Sequence, residues 1–163
     1  TVIGGSSKDL DRLTEDALVH FPRKKPTRLK TEGAFHTFYM VTAALHFRPV
    51  LDDAEMHAPT LRVLSNYTGT HHDLDPATIK TRLFYQLFYP VNWICNLETA
   101  FRDGMTTVVE FGGGLGSGTR PEDKHPNLEG IVKKALRDSD YSVHYRAAIN
   151  SQTLRETAAA LRS

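Results

Sequence analysis

The sequence predicts a single α/β domain, and three features lead to that prediction. Apolar residues recur at helical spacing in several stretches, beginning with Leu10, Leu13 and Leu18. A run of mostly β-branched residues at 106–111 has the composition of a buried strand. A length of 163 residues is sufficient for one ordinary domain with its own core.

The helices are predicted from these apolar repeats together with capping and helix-ending residues. Ser6 precedes the first helix, with Asp9 three residues further on, as in a capping box. Asp75 is a capping carboxylate followed by proline, and Gly104 is expected to end a helix in a left-handed conformation. Pro49 is expected to end the helix before it, because the residue preceding a proline avoids the α region. Predicted helices span about residues 7–20, 38–47, 51–56, 75–89, 91–102, 128–136 and 154–161.

Strands are predicted where short apolar or β-branched runs are bounded by turn residues. Residues 138–152 carry no clear pattern, and the polar stretch 120–127 has the composition of a surface loop. Predicted strands span about residues 1–5, 27–30, 61–66 and 106–111.

The composition limits the classes of binding partner and the cellular compartment that we expect. A formal net charge of +1 gives no electrostatic argument for nucleic acid or a membrane surface as a partner. No apolar run approaches the length of a membrane-spanning helix. The single cysteine, Cys95, excludes an intramolecular disulfide, so we expect a reducing cytoplasm as the location. Because Cys95 lies in an apolar helical pattern, we expect it to be buried and inert.

A histidine, His36, lies among aromatic and small residues in the stretch 31–40. A lone histidine in an apolar segment is more often a core residue than a catalyst, but this one belongs to an ordered series of motifs. In chain order these are Gly33-Ala34-Phe35-His36, Val63 to Gly69, Tyr85 to Trp93, and Val109 to Gly114. The series resembles the C-terminal part of malonyl-CoA:acyl carrier protein transacylases and polyketide-synthase acyltransferase domains. The resemblance covers roughly residues 1–136.

The resemblance implies a particular version of the α/β fold. It predicts a partial acyltransferase domain made of a ferredoxin-like small subdomain and the C-terminal part of an α/β-hydrolase-like subdomain. The small subdomain, with the histidine motif, is expected over about residues 1–65. The chain is expected to return to the large subdomain over about residues 66–136, and residues 137–163 are expected to form a C-terminal extension.

The resemblance also assigns roles to three residues. His36 is expected to be the general base, since the ordinary pKa of a histidine side chain lies near neutrality and the ring can accept and return a proton. In the family a backbone carbonyl orients this histidine, and the matching residue here is Gln86. Phe35 is expected to favour malonyl over methylmalonyl units, because the tetrad His-Ala-Phe-His accompanies malonyl choice. This chain has Gly33 in place of the leading histidine, and Gly113 where the family has a proline after strand 106–111.

The resemblance includes the family's histidine but not its nucleophile. The family's serine lies in a Gly-x-Ser-x-Gly elbow, and none of Ser6, Ser65 or Ser117 has both flanking glycines. We therefore expect a partner, an N-terminal acyltransferase segment that carries the serine, and we expect the chain alone to transfer no acyl group. Malonyl-CoA is the expected substrate, an acyl carrier protein the expected recipient, and no bound cofactor is expected.

Two alternatives come from other classes of function. The chain is also consistent with a non-catalytic carrier-protein docking module, or with a small-ligand binder that uses the loop Gly112 to Gly118. That loop departs from known phosphate-binding patterns, since Thr119 follows Gly118 where a P-loop needs lysine and Ser117 replaces the third glycine of the dinucleotide motif. Adjacent His71, His72 and Asp73 would form a metal site only if further ligands converged on them, and we expect no metal site here.

Overall fold

The computed structural model of the chain describes residues 2–29, 31–137 and 139–162. The chain divides into two compact units, Thr1–Asn96 and Leu97–Ser163. Helices are α1 (Ser7–His20), α2 (Val41–Asp53), α3 (Pro76–Tyr85), α4 (Trp93–Arg102), α5 (Glu129–Leu136) and α6 (Ser151–Ala160). Strands are β1 (Thr107–Phe111) and β2 (His144–Ala148), and short 3-10 turns lie at Phe38–Met40 and Pro121–Asp123.

Helix α1 has the predicted bounds because its cap is local. The Ser6 side chain accepts a hydrogen bond from the Asp9 amide at 3.2 Å, which satisfies one of the free amides of the first turn. Asp75 caps α3 in the same way, accepting from the amides of Ala77 and Thr78. The predicted left-handed terminator after α4 is confirmed, with Gly104 at φ 86°.

The expected helix break at Pro49 is wrong. Helix α2 runs through Pro49 to Asp53, so the two predicted pieces 38–47 and 51–56 are one helix. Leu51 and Ala44 are both buried, and Arg48 bonds Asp52 one turn later at 2.9 Å. Burial of these apolar residues offsets the hydrogen bond that a proline removes from a helix interior.

The expected strand at 61–66 is also wrong for the described residues. The chain there forms one isolated antiparallel bridge between Leu64 and His71. The Ser65 amide donates to the Thr70 carbonyl at 2.8 Å, so the segment closes into a tight turn over 65–70. The strands expected near residues 2–4 and 27–29 are irregular chain, and Thr1 and Lys30 lie outside the described residues.

The second unit contains a β-α-β arrangement. Strands β1 and β2 pair in parallel, with Thr107 opposite His144 and Phe111 opposite Ala148. A parallel pair needs a crossover, and α5 lies in that connection. Helix α6 packs on β2, where the Thr157 hydroxyl donates to the Ala147 carbonyl at 3.0 Å. The sequence pattern predicts β1, α5 and most of α6 but misses β2.

A buried carboxylate holds the start of α5. Glu110, on β1, accepts from the amides of Asn127 at 2.8 Å and Leu128 at 2.9 Å, and from the Tyr145 hydroxyl. Burial alone would raise the pKa of Glu110, but the hydrogen bonds from Tyr145, Leu128 and Asn127 together outweigh it and lower that pKa. The Tyr145 pKa is raised, first by burial and then by the hydrogen bond to Glu110.

These elements establish an α/β fold. The described part of Thr1–Asn96 contains helices, turns and the isolated bridge, whereas both strands belong to the second unit. The predicted subdomain boundaries near residues 65 and 136 stay predictions. No helix in the described ranges is long and apolar enough to cross a membrane.

Candidate active site

His36 is held by two hydrogen bonds to consecutive carbonyls of one segment. Its ring Nδ1 lies 2.7 Å from the Gln86 carbonyl oxygen, and its backbone amide donates to the Leu87 carbonyl at 3.0 Å. A carbonyl can only accept, so Nδ1 must carry the proton in this contact. In the neutral ring, Nε2 is then the unprotonated nitrogen with a lone pair available to a substrate or nucleophile.

The backbone of His36 has an uncommon conformation. It is the described non-glycine residue with positive φ, at 61°. The left-handed region is sparsely populated by side chains other than glycine, although histidine is among the enriched types. Such conformations persist where surrounding contacts fix them, and here the Leu87 and Gln86 carbonyls do so from 50 residues away in sequence.

The two carbonyls lie just beyond the C-terminus of α3. That helix ends at Tyr85, and the Gln86 amide bonds back to the Arg82 carbonyl at 3.0 Å. The last carbonyls of a helix have no intrahelical partner and carry partial negative charge. His36 therefore meets the helix end where a donor, and a developing positive charge, are both favoured.

Phe35 and Gly33 are close neighbours beside this histidine. The Phe35 side chain is about half exposed, at 49%. A Cβ at position 33 would lie 3.6 Å from the Phe35 ring and 3.5 Å from Met40 Sδ, which are ordinary contacts. The backbone at Gly33 thus has room for a side chain. Packing therefore does not require glycine at the position where the family's tetrad begins with histidine. The acyl selectivity assigned to Phe35 stays a prediction.

The three serines compared with the elbow pattern, Ser6, Ser65 and Ser117, have other surroundings. Ser6 caps α1, Ser65 is buried at 1% exposure, and Ser117 lies in the glycine-rich loop after β1. The Ser65 oxygen accepts from the Thr68 amide at 3.4 Å, which is a turn contact. These positions give no strand-to-helix elbow for a nucleophile.

The expectation that Cys95 is buried is wrong. Cys95 is exposed on α4, whereas Leu97 and Phe101, one turn apart, are buried. Two residues along a helix correspond to roughly 200°, so Cys95 lies on nearly the opposite face from Leu97. The apolar pattern identified the helix correctly but assigned the cysteine to the wrong face. Because Cys95 is exposed, burial cannot be used to argue that its thiol is inert.

The glycine-rich loop is packed against its own return segment. Leu115 and His125 exchange backbone hydrogen bonds at 2.8 and 2.9 Å. A Cβ on Gly116 would collide with the Asp123 carbonyl, and the Lys124 ammonium donates to the Gly116 carbonyl at 2.6 Å. Glycine is therefore required at 116 by a close approach of backbone to backbone, which accounts for that residue without a bound phosphate.

The His71-His72-Asp73 stretch follows the turn at 65–70. Burial first, and the positive charge of Arg82 second, lower the pKa of His72. Arg82 also donates to the His71 carbonyl at 2.7 Å. Among residues 2–29, 31–137 and 139–162 no group of three or more His, Cys, Asp or Glu side chains could hold a metal ion.

Two contributors to the site were not singled out from the sequence. Leu87 holds the His36 amide through its carbonyl, and Tyr67 packs its ring against the segment that contains Gln86 and Leu87. A backbone acceptor leaves no trace in side-chain identity. The clustering of aromatic residues at 84–89 was a visible signal for Tyr67.

Comparison with known proteins places the chain among acyltransferases. No family model matches it. The malonyl CoA-acyl carrier protein transacylase of Bacillus subtilis is 29% identical over 136 residues, which is 83% of this chain and 39% of the relative. That of Mycolicibacterium smegmatis is 34% identical over 115 residues, 68% of this chain and 38% of the relative.

Solved structures agree with these relatives. The transacylase of Mycobacterium tuberculosis has a TM-score of 0.66 and 30% identity, covering 90% of this chain and 44% of that chain. The transacylase of Xanthomonas oryzae has a TM-score of 0.74 at 22% identity, and the match covers 96% of this chain and 44% of that chain. A malonyl-transacylase solved in complex with a type II polyketide-synthase acyl carrier protein has a TM-score of 0.71 at 19% identity, covering 93% and 43%.

The fold and the relatives thus place the chain in an α/β family of acyltransferases. The chain belongs to the malonyl-CoA:acyl carrier protein transacylase family and corresponds to a C-terminal part of it. It spans about two fifths of the length of the curated relatives it matches.

Proposed function

We propose that this chain supplies the histidine-bearing part of a malonyl-CoA:acyl carrier protein transacylase, with His36 as general base. The observation that carries the proposal is the 2.7 Å contact between His36 Nδ1 and the Gln86 carbonyl, in a chain whose relatives are transacylases. This contact leaves Nε2 as the basic nitrogen, on an exposed side chain. In the proposal the malonyl group passes from malonyl-CoA to the phosphopantetheine thiol of an acyl carrier protein.

Each half of the reaction needs one proton transfer in each direction. A serine hydroxyl attacks the thioester carbon while Nε2 of His36 takes its proton, and the carbon–sulfur bond then breaks as that proton passes to the departing CoA sulfur. In the second half the pantetheine thiol gives its proton to Nε2 and attacks the acyl-serine, and the serine oxygen recovers the proton. The Gln86 carbonyl accepts a hydrogen bond from the His36 Nδ1–H throughout but takes no proton, so it orients the neutral ring and stabilises the imidazolium when that forms.

The serine, the oxyanion-hole donors and the cation for the malonyl carboxylate are proposed to come from a complementing N-terminal segment. Two features support this. The curated relatives are more than twice as long as the matched part, and the described sheet contains two parallel strands. Parallel sheets are normally larger and covered on both faces, and an open edge favours pairing with a further strand.

The finer fold belongs to the same proposal. Residues of the first unit would complete a ferredoxin-like small subdomain together with the complementing segment, and β1 would join a larger α/β-hydrolase-like sheet. A cytoplasmic location is also proposed, on the basis of the single cysteine. The pathway, fatty-acid or polyketide synthesis, would be set by the carrier protein that the enzyme serves.

The proposal is tested by labelling with radioactive malonyl-CoA. The chain alone, the elbow-bearing segment alone, and both together are incubated, denatured and separated. We expect label on the segment only when both are present, and much slower labelling of the segment when the chain carries His36→Ala. Label retained on the chain alone would show that it contains its own nucleophile and would overturn the division of the site.

A further inference from the structure

The orientation of His36 depends on where two carbonyls point, so the residues that fix those carbonyls matter for its chemistry. Gln86 and Leu87 belong to a short non-helical turn between the end of α3 and Pro90. The turn is bonded within itself, with the amides of Phe88 and Tyr89 both donating to the Tyr85 carbonyl, at 3.2 and 3.0 Å. These internal bonds set the shape of the turn but not its direction relative to the rest of the unit.

One aromatic ring from elsewhere in the chain contacts both ends of this turn. Tyr67 stacks on Tyr85 with ring centroids 5.2 Å apart, and meets Tyr89 edge to face at 5.1 Å. The ring centroids of Tyr85 and Tyr89 are themselves 5.7 Å apart, so the three rings contact one another in a closed triangle that includes the residues at both ends of the segment 86–88. Aromatic pairs at these separations and angles are attractive beyond the apolar area they bury.

Tyr67 is itself fixed by a separate anchor. Its carbonyl accepts from the Asn92 side-chain amide at 2.5 Å, and the neighbouring Asn66 carbonyl accepts from the Asn92 backbone amide at 2.8 Å. The Asn66 side chain also accepts from Asn96 at 3.1 Å. Gly69 closes the turn at φ 71°, where a Cβ would collide with Cys95. The turn that carries Tyr67 is thus bound to the residues that begin α4.

We infer that Tyr67 is a positioning residue for His36. Its ring holds the 85–89 turn so that the Gln86 and Leu87 carbonyls face the histidine, and it thereby keeps the proton on Nδ1 and the lone pair on Nε2. This inference rests on the proposed function for its catalytic consequence, but the positioning itself concerns only contacts within the first unit. The ring performs this role, because the Tyr67 side chain meets Tyr85 and Tyr89 through its ring.

A spectroscopic test reads the positioning without requiring catalysis. Nitrogen-15 NMR of the histidine rings distinguishes the Nδ1-protonated from the Nε2-protonated tautomer, and His36→Gln identifies the signal by its loss. We expect the Nδ1-protonated form of His36 in the wild type and in Tyr67→Phe, and a mixture of tautomers in Tyr67→Leu. Tyr67 is only half-buried and lines an open groove with Tyr85 and Thr78, so its truncation widens a groove rather than sealing a cavity.

A matched control is available in the second unit. Tyr141 stacks on Phe101 with centroids 5.1 Å apart, so Tyr141→Leu removes a similar ring contact in the second unit. Thermal unfolding of both leucine variants separates loss of stability from loss of positioning. A mixed tautomer in Tyr67→Leu but not in Tyr141→Leu supports the inference, whereas an unchanged Nδ1-protonated signal in folded Tyr67→Leu overturns it.

Kinetics of the completed enzyme give the second readout. Tyr67→Leu should lower kcat by about tenfold to a hundredfold, as expected for a misplaced catalytic group, with KM for malonyl-CoA nearly unchanged and Tyr67→Phe close to wild type. If His36→Ala is fully active, the proposed function fails whatever Tyr67 does. If His36→Ala is inactive while Tyr67→Leu keeps wild-type kcat, only the inference about Tyr67 fails.

Discussion

His36 and Glu110 occupy opposite kinds of helix end. His36 donates to two carbonyls just past the C-terminus of α3, whereas Glu110 accepts from two amides at the start of α5. Each ionisable group thus meets the end of the helix dipole that suits its charge. The histidine is exposed and keeps one ring nitrogen available, while the carboxylate is buried at 8% exposure and also accepts from Tyr145.

The difference distinguishes the proposed reactive residue, His36, from a structural one, Glu110. A group that accepts three hydrogen bonds in a buried place has little capacity left for chemistry, and its strong interactions stabilise the fold. A group that is oriented on one side and open on the other can exchange protons. The following substitutions test this contrast.

His36→Ala should have the largest effect. Removal of a positioned base is expected to slow acyl-serine formation in the completed enzyme by about 10²- to 10⁴-fold. The free energy of unfolding should fall by only about 1 kcal/mol, because the side chain is exposed but alanine is less favourable at the positive φ of this position. Single-turnover labelling measures the rate, and carrier-protein binding is measured in parallel. Rates within a few-fold of wild type with binding retained would favour a non-catalytic docking module instead.

Phe35→Ser should change selectivity rather than rate. A ring beside the acyl pocket would collide with the α-methyl group of methylmalonyl-CoA, and discrimination of one methyl is about 1–3 kcal/mol. The two thioesters are competed against each other, and the preference for malonyl should fall towards equality in the variant. An unchanged product ratio would remove Phe35 from the specificity assignment.

Glu110→Gln should destabilise the fold without touching His36. Replacing the buried carboxylate leaves an amide donor facing donors, and the free energy of unfolding at neutral pH should fall by about 1–3 kcal/mol. Denaturant unfolding measures this, and the exposed Glu122→Gln, a residue that pairs with Arg120 on the surface, is the matched control.

The same carboxylate predicts a pH dependence. Because the pKa of Glu110 is lowered in the folded state, its contribution is fully present above the ordinary value of 4.5 and is lost as pH falls through the lower folded value. The stability difference between wild type and Glu110→Gln should therefore narrow in acid. A difference that stays constant from neutral pH to below that value would contradict the assignment of the stabilisation to the ionised group.

Gln86→Ala should have the smallest effect and sharpens the contrast with Glu110. At Glu110 the side chain makes the contacts, whereas at Gln86 the backbone carbonyl does so. Losing the Gln86 side chain should leave the His36 tautomer and the acylation rate within about twofold, since alanine preserves both the carbonyl and helical propensity. A loss comparable to that of His36→Ala would mean that the side chain itself has a catalytic role.

Local features of the chain were predictable from sequence because their causes lie within a few residues. Ser6, Asp75 and Gly104 cap helices through groups two to four positions away, and the structure places them as predicted. The ordered motifs around His36 were sufficient to suggest the transacylase relationship that the comparisons support.

What the tertiary structure alone decided involves distant parts of the chain. Pro49 lies inside α2 because buried Ala44 and Leu51 hold that helix together. Strand β2 exists because β1 offers it a parallel partner, and its own residues gave no pattern. The carbonyl that orients His36 comes from 50 residues further along, and the ring of Tyr67 that holds it comes from a third segment. Such contacts are set by how the chain closes on itself, which no local propensity encodes.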